Sequence, residues 1–317
     1  MGLGSPKHQY DLALALGGGA LRGVAHVGVL QVLHEHGIFP SLVTGTSAGS
    51  LVGAFYAAGV DPYQMAELTY SLSADILVDT EMGPLSFLLL GQRMALELVR
   101  RTARTPSGIA AGRRLEAWIR ENLPVPKLDQ LSLPFAAVAV DIRSGERVIM
   151  ASSHLLPDQP PAGTAFLTEE ETDVAAAVRA SSSIPWLYMP KRLGGRILVD
   201  GAVCEPVPAP TARLLGAQKV VAVDLTPTSQ QPEEVQGLTR ILGRVLAIGE
   251  GVITRLQLER DADLVIHPVL RDGPMTDASL IPEYLHAGRV AAMAALPALE
   301  ELLRRPVKKR RWFLFGR

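Results

Sequence analysis

The sequence predicts an α/β fold built on a mostly parallel sheet, and three observations carry that expectation. The first sixty residues hold two strand-then-helix units, the connection that parallel strands need. Two later strand patterns, "AQKVVAVDL" and "ADLVIHPVL", are separated by a long helical stretch over 238–260. Three chemically loaded turns, at Gly17, Ser47 and Asp200, each come directly after a strand. If those strands run parallel, all three turns share the carboxyl edge of the sheet, where open α/β sheets bind ligands.

The elements follow in order. In "YDLALALGGGALRGVAHVGVLQVLHEHGI", Leu12, Leu14 and Leu16 alternate with alanines before three glycines stop the strand. Val24, Val27, Leu30 and Leu33 then recur at helical spacing, and Gly37 ends that helix. "PSLVTG" is a short strand, and "TSAGSLVGAFYAAG" a helix closed by Gly59. Residues 42–60 carry no charge over a length that could span a bilayer. Lipid would leave the backbone of the internal Gly-Thr-Ser-Ala-Gly turn unsatisfied, so the stretch is read as buried. Residues 61–122 read as a helical cap insertion, including "PLSFLLLG" as a cap helix or interfacial lid. "LPFAAVAVDI" and "ERVIMAS" are strands joined by an "RSG" hairpin turn. "HLLPDQPPAGTAFLTEEET" reads as a surface loop, "DVAAAVRASSSIPWLY" as a helix entering a Ser/Pro turn, "GGRILVDGA" as a strand ending at Asp200, and 281–303 as a last helix. One domain over 10–303 and a basic, aromatic tail over 304–317 result.

The bulk numbers exclude several classes. With 317 residues, 48% hydrophobic and 20% charged, the chain can bury a large core. A net charge of −1 supplies no field to gather nucleic acid. The single cysteine, Cys204, rules out a disulfide framework and a cysteine zinc site. The polar start "MGLGSPKHQYD" has no apolar signal region, so a reducing, cytoplasmic setting is expected.

Ser47 stands between Gly45 and Gly49 in G-x-S-x-G, the strand-to-helix turn that exposes a nucleophilic hydroxyl. Gly17, Gly18 and Gly19 open "GGGALRG". Position 22 is arginine where a dinucleotide fingerprint needs a third glycine, and the Lys-Ser/Thr of a P-loop is absent. The turn reads instead as an oxyanion hole, with backbone N–H groups facing a carbonyl that gains charge and Arg22 adding to them. A serine needs a base. His267 ends the strand in "DLVIHP", and the order Ser47, Asp200, His267 matches an α/β-hydrolase triad, giving a small-ester esterase or thioesterase. The favoured reading is a Ser47–Asp200 dyad, in which desolvation raises the carboxylate pKa enough for it to take the proton.

"GGGALRG", "GTSAG" and "DGA", in this order, resemble the patatin-like phospholipase family, bacterial branch. The connecting stretches "RGVAHVGVLQVL", "VDIRSGERV", "AVRASSSIPWLY", "LVDGAVCEPVP" and "LLGAQKVVAVD" share the likeness. The resemblance implies a three-layer α/β sandwich and hydrolysis of lipid acyl esters by a Ser–Asp dyad through an acyl-enzyme, with no metal or cofactor. Carried over, Ser47 is the nucleophile, Asp200 the base, and the loop from Gly17 to Arg22 the oxyanion hole. The long 154–172 connection and the 61–122 insertion depart from the family pattern and bear on substrate choice. The expected partner is a lipid substrate, and the tail "RRPVKKRRWFLFGR" reads either as a contact with the anionic inner face of a membrane or as a loose, solvated C-terminus. The rival outside catalysis is a lipid-binding protein that keeps the fold, which a serine-directed fluorophosphonate probe separates.

Overall fold

The computed structural model describes residues 8–79, 108, 110–226, 238–271, 273–274 and 276–306. The leucine-rich stretch 84–91 and tail residues 307–317 lie outside the described residues.

Among the described residues nine strands form one sheet: β1 (Tyr10–Leu16), β2 (Leu42–Thr46), β3 (Phe135–Asp141), β4 (Arg147–Ala151), β5 (Thr164–Leu167), β6 (Lys191–Leu193), β7 (Arg196–Asp200), β8 (Ala217–Val223) and β9 (Leu264–Ile266). The main order is β5-β4-β3-β2-β1-β8-β9, with β7 pairing both β3 and β6. The pairs β1–β2, β1–β8, β2–β3, β4–β5 and β8–β9 are parallel; β3–β4, β3–β7 and β6–β7 are antiparallel.

The helices are α1 (Val24–Glu35), α2 (Ala48–Ala57), α3 (Pro62–Thr69), α4 (Ala74–Leu77), α5 (Arg113–Asn122), α6 (Val174–Ser181), α7 (Ala209–Leu214), α8 (Leu238–Asp261) and α9 (Ile281–Arg304). Period-two alternation in β1 sorts them into layers. Leu12, Leu14 and Leu16 join the core shared with α1, α2 and α9, whereas Ala13 and Ala15 face the smaller cluster built with α7. Large side chains on one face and small ones on the other give the sheet a helical layer on each side. The described part of the 61–122 region is helical, with α3, α4 and α5 around the apolar side of α2.

Two expectations are corrected. The "surface loop" of 154–172 contains strand β5, which lengthens the sheet beside β4. Its Pro/Gly-rich flanks masked the four-residue "TAFL" run. Strand β7 is also antiparallel to β3, so the three strand ends are not all carboxyl ends of parallel strands. The signal was present in "KRLGGRILVD": two glycines between two short apolar runs mark a hairpin. Gly194 and Gly195 both take left-handed φ, at 53° and 70°, between β6 and β7.

Candidate active site

The reversal of β7 is what brings Ser47 and Asp200 together. One edge of β3 is shared by two strands running toward each other. Residues 135–138 pair with β2, and residues 139–141 pair with β7. Thr46 ends opposite Val138 and Asp200 ends opposite the next residue, Ala139. The residue after β2 and the last residue of β7 therefore meet nose to nose.

Ser47 holds the turn in a strained conformation, φ 53° and ψ −124°. Its glycine neighbours are compelled by contact. A Cβ on Gly49 would lie 2.1 Å from the Leu16 carbonyl oxygen, and one on Gly45 would lie 2.5 Å from the Gly49 carbonyl oxygen. Helix α2 begins at the next residue, so its positive end faces the serine. The Ser47 N–H donates to Ser181 Oγ at 2.9 Å, and that hydroxyl donates on to the Val138 carbonyl at 2.6 Å. Among the described residues only Ala20, Ser47 and Trp186 are non-glycines with positive φ. Ala20 and Ser47 line one pocket, and Trp186 lies between its lining residues Ile184 and Tyr188. Strain is concentrated where it can serve chemistry.

The Asp200 carboxyl is buried. It accepts the Ala202 N–H at 2.9 Å. Burial pushes its pKa up to about 6, against that bond, the nearby Ser47 side chain and the positive charge of Arg179. Its own N–H donates to the Ser183 carbonyl at 2.9 Å. The C-terminal end of α6 thus grips both partners, Ser47 through Ser181 and Asp200 through Ser183.

The glycine turn lies against the serine: a Cβ on Gly18 would come within 3.4 Å of Ser47 Cβ. Not every expected donor is open, however. The Gly17 N–H is bonded to the Val223 carbonyl at 3.0 Å and the Gly18 N–H to the Pro206 carbonyl at 2.9 Å. Among the described residues the Gly19 N–H meets no acceptor, and Gly19 uses its carbonyl to accept the Arg22 N–H and Arg22 Nε. Arg22 therefore shapes the turn through its own backbone and side chain. Buried His26 donates from Nε2 to the Gly17 carbonyl at 2.7 Å; desolvation lowers its pKa to about 4, so the ring is neutral near pH 7.

Beyond Ser47 the pocket is apolar. Leu51, Phe55, Met65, Leu68 and Trp118 line it, from α2, α3 and α5. Phe55 and Trp118 rings sit 5.6 Å apart, and the Trp118 indole N–H donates to Ser71 Oγ at 3.2 Å.

His267 is held elsewhere. Its Nδ1 lies 3.3 Å from Asp224 Oδ2, a contact that raises its pKa. Strand β9 stands three places from β2 in the sheet, roughly 14 Å at the usual strand spacing. Two residues with clear structural work escaped the sequence reading, Ser181 and Arg179, whereas His26, one turn into the helix after the glycine loop, is expected to pack or support the turn, and it does so on the Gly17 carbonyl. Arg179 is 1% exposed. Its guanidinium donates to the carbonyls of Ala111, Gly112 and Met189 and to Ser183 Oγ, and stacks 4.6 Å from the Tyr188 ring centre. A charged residue among alanines in "VAAAVRAS" was the available signal, since an arginine on an otherwise apolar short helix must find partners inside.

Fold and site together define a class: α/β proteins that present a serine on a strand-to-helix turn beside a buried acid. The patatin-like phospholipase family model matches residues 14–213, and the chain belongs to that family. It is 29% identical over 231 residues to an uncharacterized NTE family protein of Mycobacterium tuberculosis, covering 73% of this chain and 52% of that one. It is also 29% identical over 214 residues to mouse patatin-like phospholipase domain-containing protein 6, covering 68% of this chain and 13% of that protein. The chain spans about half the length, or less, of these curated relatives. Among solved structures, human GIVD cytosolic phospholipase A2 aligns with a TM-score of 0.46 and 12% identity, over 93% of this chain and 60% of that one. VipD from Legionella pneumophila aligns with a TM-score of 0.46 and 15% identity, over 93% and 68%.

Proposed function

We propose that this protein is a lipid acyl hydrolase that works through a Ser47–Asp200 dyad and an acyl-enzyme. One observation carries the reading: a strained serine meets a buried carboxyl of raised pKa, close enough to lower that pKa, at the mouth of an apolar pocket. Asp200 accepts the Ser47 proton as the oxygen attacks the ester carbonyl. A carboxylate with a pKa near 6 is a far better base at neutral pH than an exposed one. The carbonyl oxygen gains charge next to the glycine turn, where the Gly19 N–H is the open donor of the expected set and the start of α2 adds its dipole. The tetrahedral intermediate collapses, the alcohol leaves with the proton, and the acyl group stays on Ser47. Asp200 then activates water to release the fatty acid. The side chains of Leu51, Phe55 and Trp118 take the acyl chain.

The triad alternative is weakened by the Asp224 partner of His267 and by the distance across the sheet. A panel of phospholipid, lysophospholipid, neutral lipid and acyl thioester, tested with wild type, Ser47→Ala, Asp200→Asn and His267→Ala, decides the matter. The dyad requires that both dyad variants lose activity while His267→Ala keeps it. Equal fatty-acid release by wild type and Ser47→Ala, or no fluorophosphonate labelling of Ser47, would end it.

A further inference from the structure

Among the described residues Arg179 is a buried cation without an ion pair. It lies on α6, and no carboxylate comes within salt-bridge distance of its guanidinium. Taking a guanidinium out of water is costly, and here no paired anion offsets the loss. Its fork joins two structures instead. On one side Nε and Nη2 donate to the carbonyls of Gly112, Ala111 and Met189, at distances between 2.8 and 3.1 Å. Gly112 is the N-cap of α5, whose Leu115 and Trp118 line the pocket, and Met189 follows Tyr188, another lining residue. The fit is close, because a Cβ on Gly112 would lie 1.9 Å from Arg179 Nε. On the other side Nη1 donates to Ser183 Oγ at 2.7 Å, and the Ser183 carbonyl accepts the Asp200 N–H at 2.9 Å. One residue, Ser183, thus separates the guanidinium from the acid of the site.

The surrounding charges single out that acid. Glu116, Asp79 and Asp200 are close enough for their charge to act on Arg179. Two of them are committed elsewhere. The Asp79 carboxyl accepts the N–H groups of Gly112, Arg113 and Arg114, and Glu116 pairs with Arg120 and Lys191. Asp200, for its part, feels no other cation among the described residues. Glu250 of α8 faces it with like charge, and burial with that repulsion pushes the Glu250 pKa up to about 7. Arg22 of the glycine turn acts on Glu250. Cys204, on the turn after Asp200, stays a neutral thiol because burial pushes it up to about 12. Strand β3 sets Val138, Ala139 and Val140 beside it, and β2 ends in Thr46.

We propose that Arg179 is a positioning residue for the Ser47–Asp200 pair. Its charge steadies the buried Asp200 carboxylate, and its fork locks the pocket wall to the helix end that holds both partners. The consequence for catalysis rests on the dyad reading above; the coupling of Arg179 to Asp200 does not. A fixed cation favours the ionised carboxyl, so more of the protein holds the base form at a given pH. Without the cation Asp200 ionises only at higher pH, and activity on the acid side falls.

The test compares the full wild-type chain with Arg179→Gln, which removes the charge and keeps an amide donor, and Arg179→Lys, which keeps a charge and loses the fork. The Asp200 carboxyl is followed by carbon NMR of aspartate-labelled protein, with Asp200→Asn to assign its signal. Its titration midpoint should rise by about half a pH unit or more in Arg179→Gln and stay near the wild-type value in Arg179→Lys, although both variants melt lower. The acid limb of kcat/KM on a soluble ester should rise with the midpoint. An unchanged midpoint in Arg179→Gln, or an equal rise in both variants, would mean that Arg179 only braces the fold, and would overturn the proposal. If Arg179→Gln does not fold alone, Arg179→Gln with Asp200→Asn decides. A cooperative melt regained in that double variant supports the proposal, because the stranded carboxylate is gone; a double variant that also fails to fold overturns it. A shifted carboxyl with no ester turned over leaves the coupling standing and sinks the hydrolase reading. Ester turnover with an unshifted acid limb sinks this proposal alone.

Discussion

Asp200 and His26 show how the site trades stability for chemistry at the level of single residues. Folding raises the Asp200 pKa from 3.8 to about 6. Between those values the native state holds a proton that the unfolded chain has lost, so native stability falls as pH rises through that window. Above pH 6 the full burden is present, on the order of 3 kcal/mol for a shift of about two units. Asp200→Asn should therefore melt higher than wild type at pH 7.5, with the advantage vanishing near pH 4, while the proposed dyad requires it to lose activity. Melting curves across pH 4–8 check the sign; an advantage that grows on acidification would contradict it. His26 runs the other way. Its folded pKa of about 4 lies below 6.5, so its neutral form supports the native state above pH 6.5, and that support is lost as pH falls toward 4. For activity, the dyad needs Asp200 ionised, so kcat/KM on a soluble ester should fall as pH drops through about 6. Ser181 has a different duty. Ser181→Ala would leave the buried Ser47 N–H without its acceptor, a loss of about 1–3 kcal/mol, and under the proposed dyad should lower kcat more than it raises KM because Ser47 loses its anchor. Urea unfolding beside steady-state kinetics separates the two effects.

At the scale of elements, patterning reveals which segments form strands and helices but not which way a strand runs. Alternation in "RILVD" is the same in either direction, so β7 could be recognised as a strand while its reversal went unread. The nearness of Ser47 and Asp200 was anticipated from strand ends; its cause, two opposed strands on one edge of β3, was visible only through the Gly-Gly hairpin. The role of Ser181 and the exact partner of His26 were illegible for another reason. Their partners are backbone groups from remote segments, Ser47 and Val138 for one and Gly17 for the other, and single-residue chemistry does not announce such partners. The small residues of α1 and α9 do carry a local message. A Cβ on Gly28 would sit 2.1 Å from the Leu285 carbonyl oxygen, and one on Gly288 would sit 2.0 Å from that of Ala25. The two helices touch backbone to backbone. Gly28→Ala must push them apart and should cost about 1–3 kcal/mol despite Ala's better helix propensity. A melting temperature equal to or above wild type would show that the helices can slide without loss.

Across the whole molecule, the segment after Asp200 ties the site together. Residues 205–208 accept three hydrogen bonds from two distant parts of the chain: Gly18 N–H bonds Pro206 O, and in β2 Thr46 Oγ1 bonds Glu205 O at 2.9 Å and Thr44 Oγ1 bonds Pro208 O at 2.9 Å. The glycine turn and the strand before Ser47 are thereby fixed to one short piece of backbone that follows Asp200 in the chain. Glu205 anchors that piece. It is 1% exposed, accepts the Thr211 N–H at 2.7 Å, and pairs with Arg147 of β4 at 2.7 Å. Arg147→Met would leave a buried carboxylate without its cation, a loss of about 3–5 kcal/mol. Adding Glu205→Gln removes the stranded charge while an amide oxygen can still accept from Thr211, so the double variant should recover much of that loss. The order of stability should be wild type, then the double variant, then Arg147→Met, as read from urea midpoints at neutral pH. Activity on a soluble ester should follow the same order, because movement of 205–208 displaces Gly18 and Thr46 together. A double variant no more stable than Arg147→Met alone would show that the pair is not the clamp, and that the site keeps its shape by some other route.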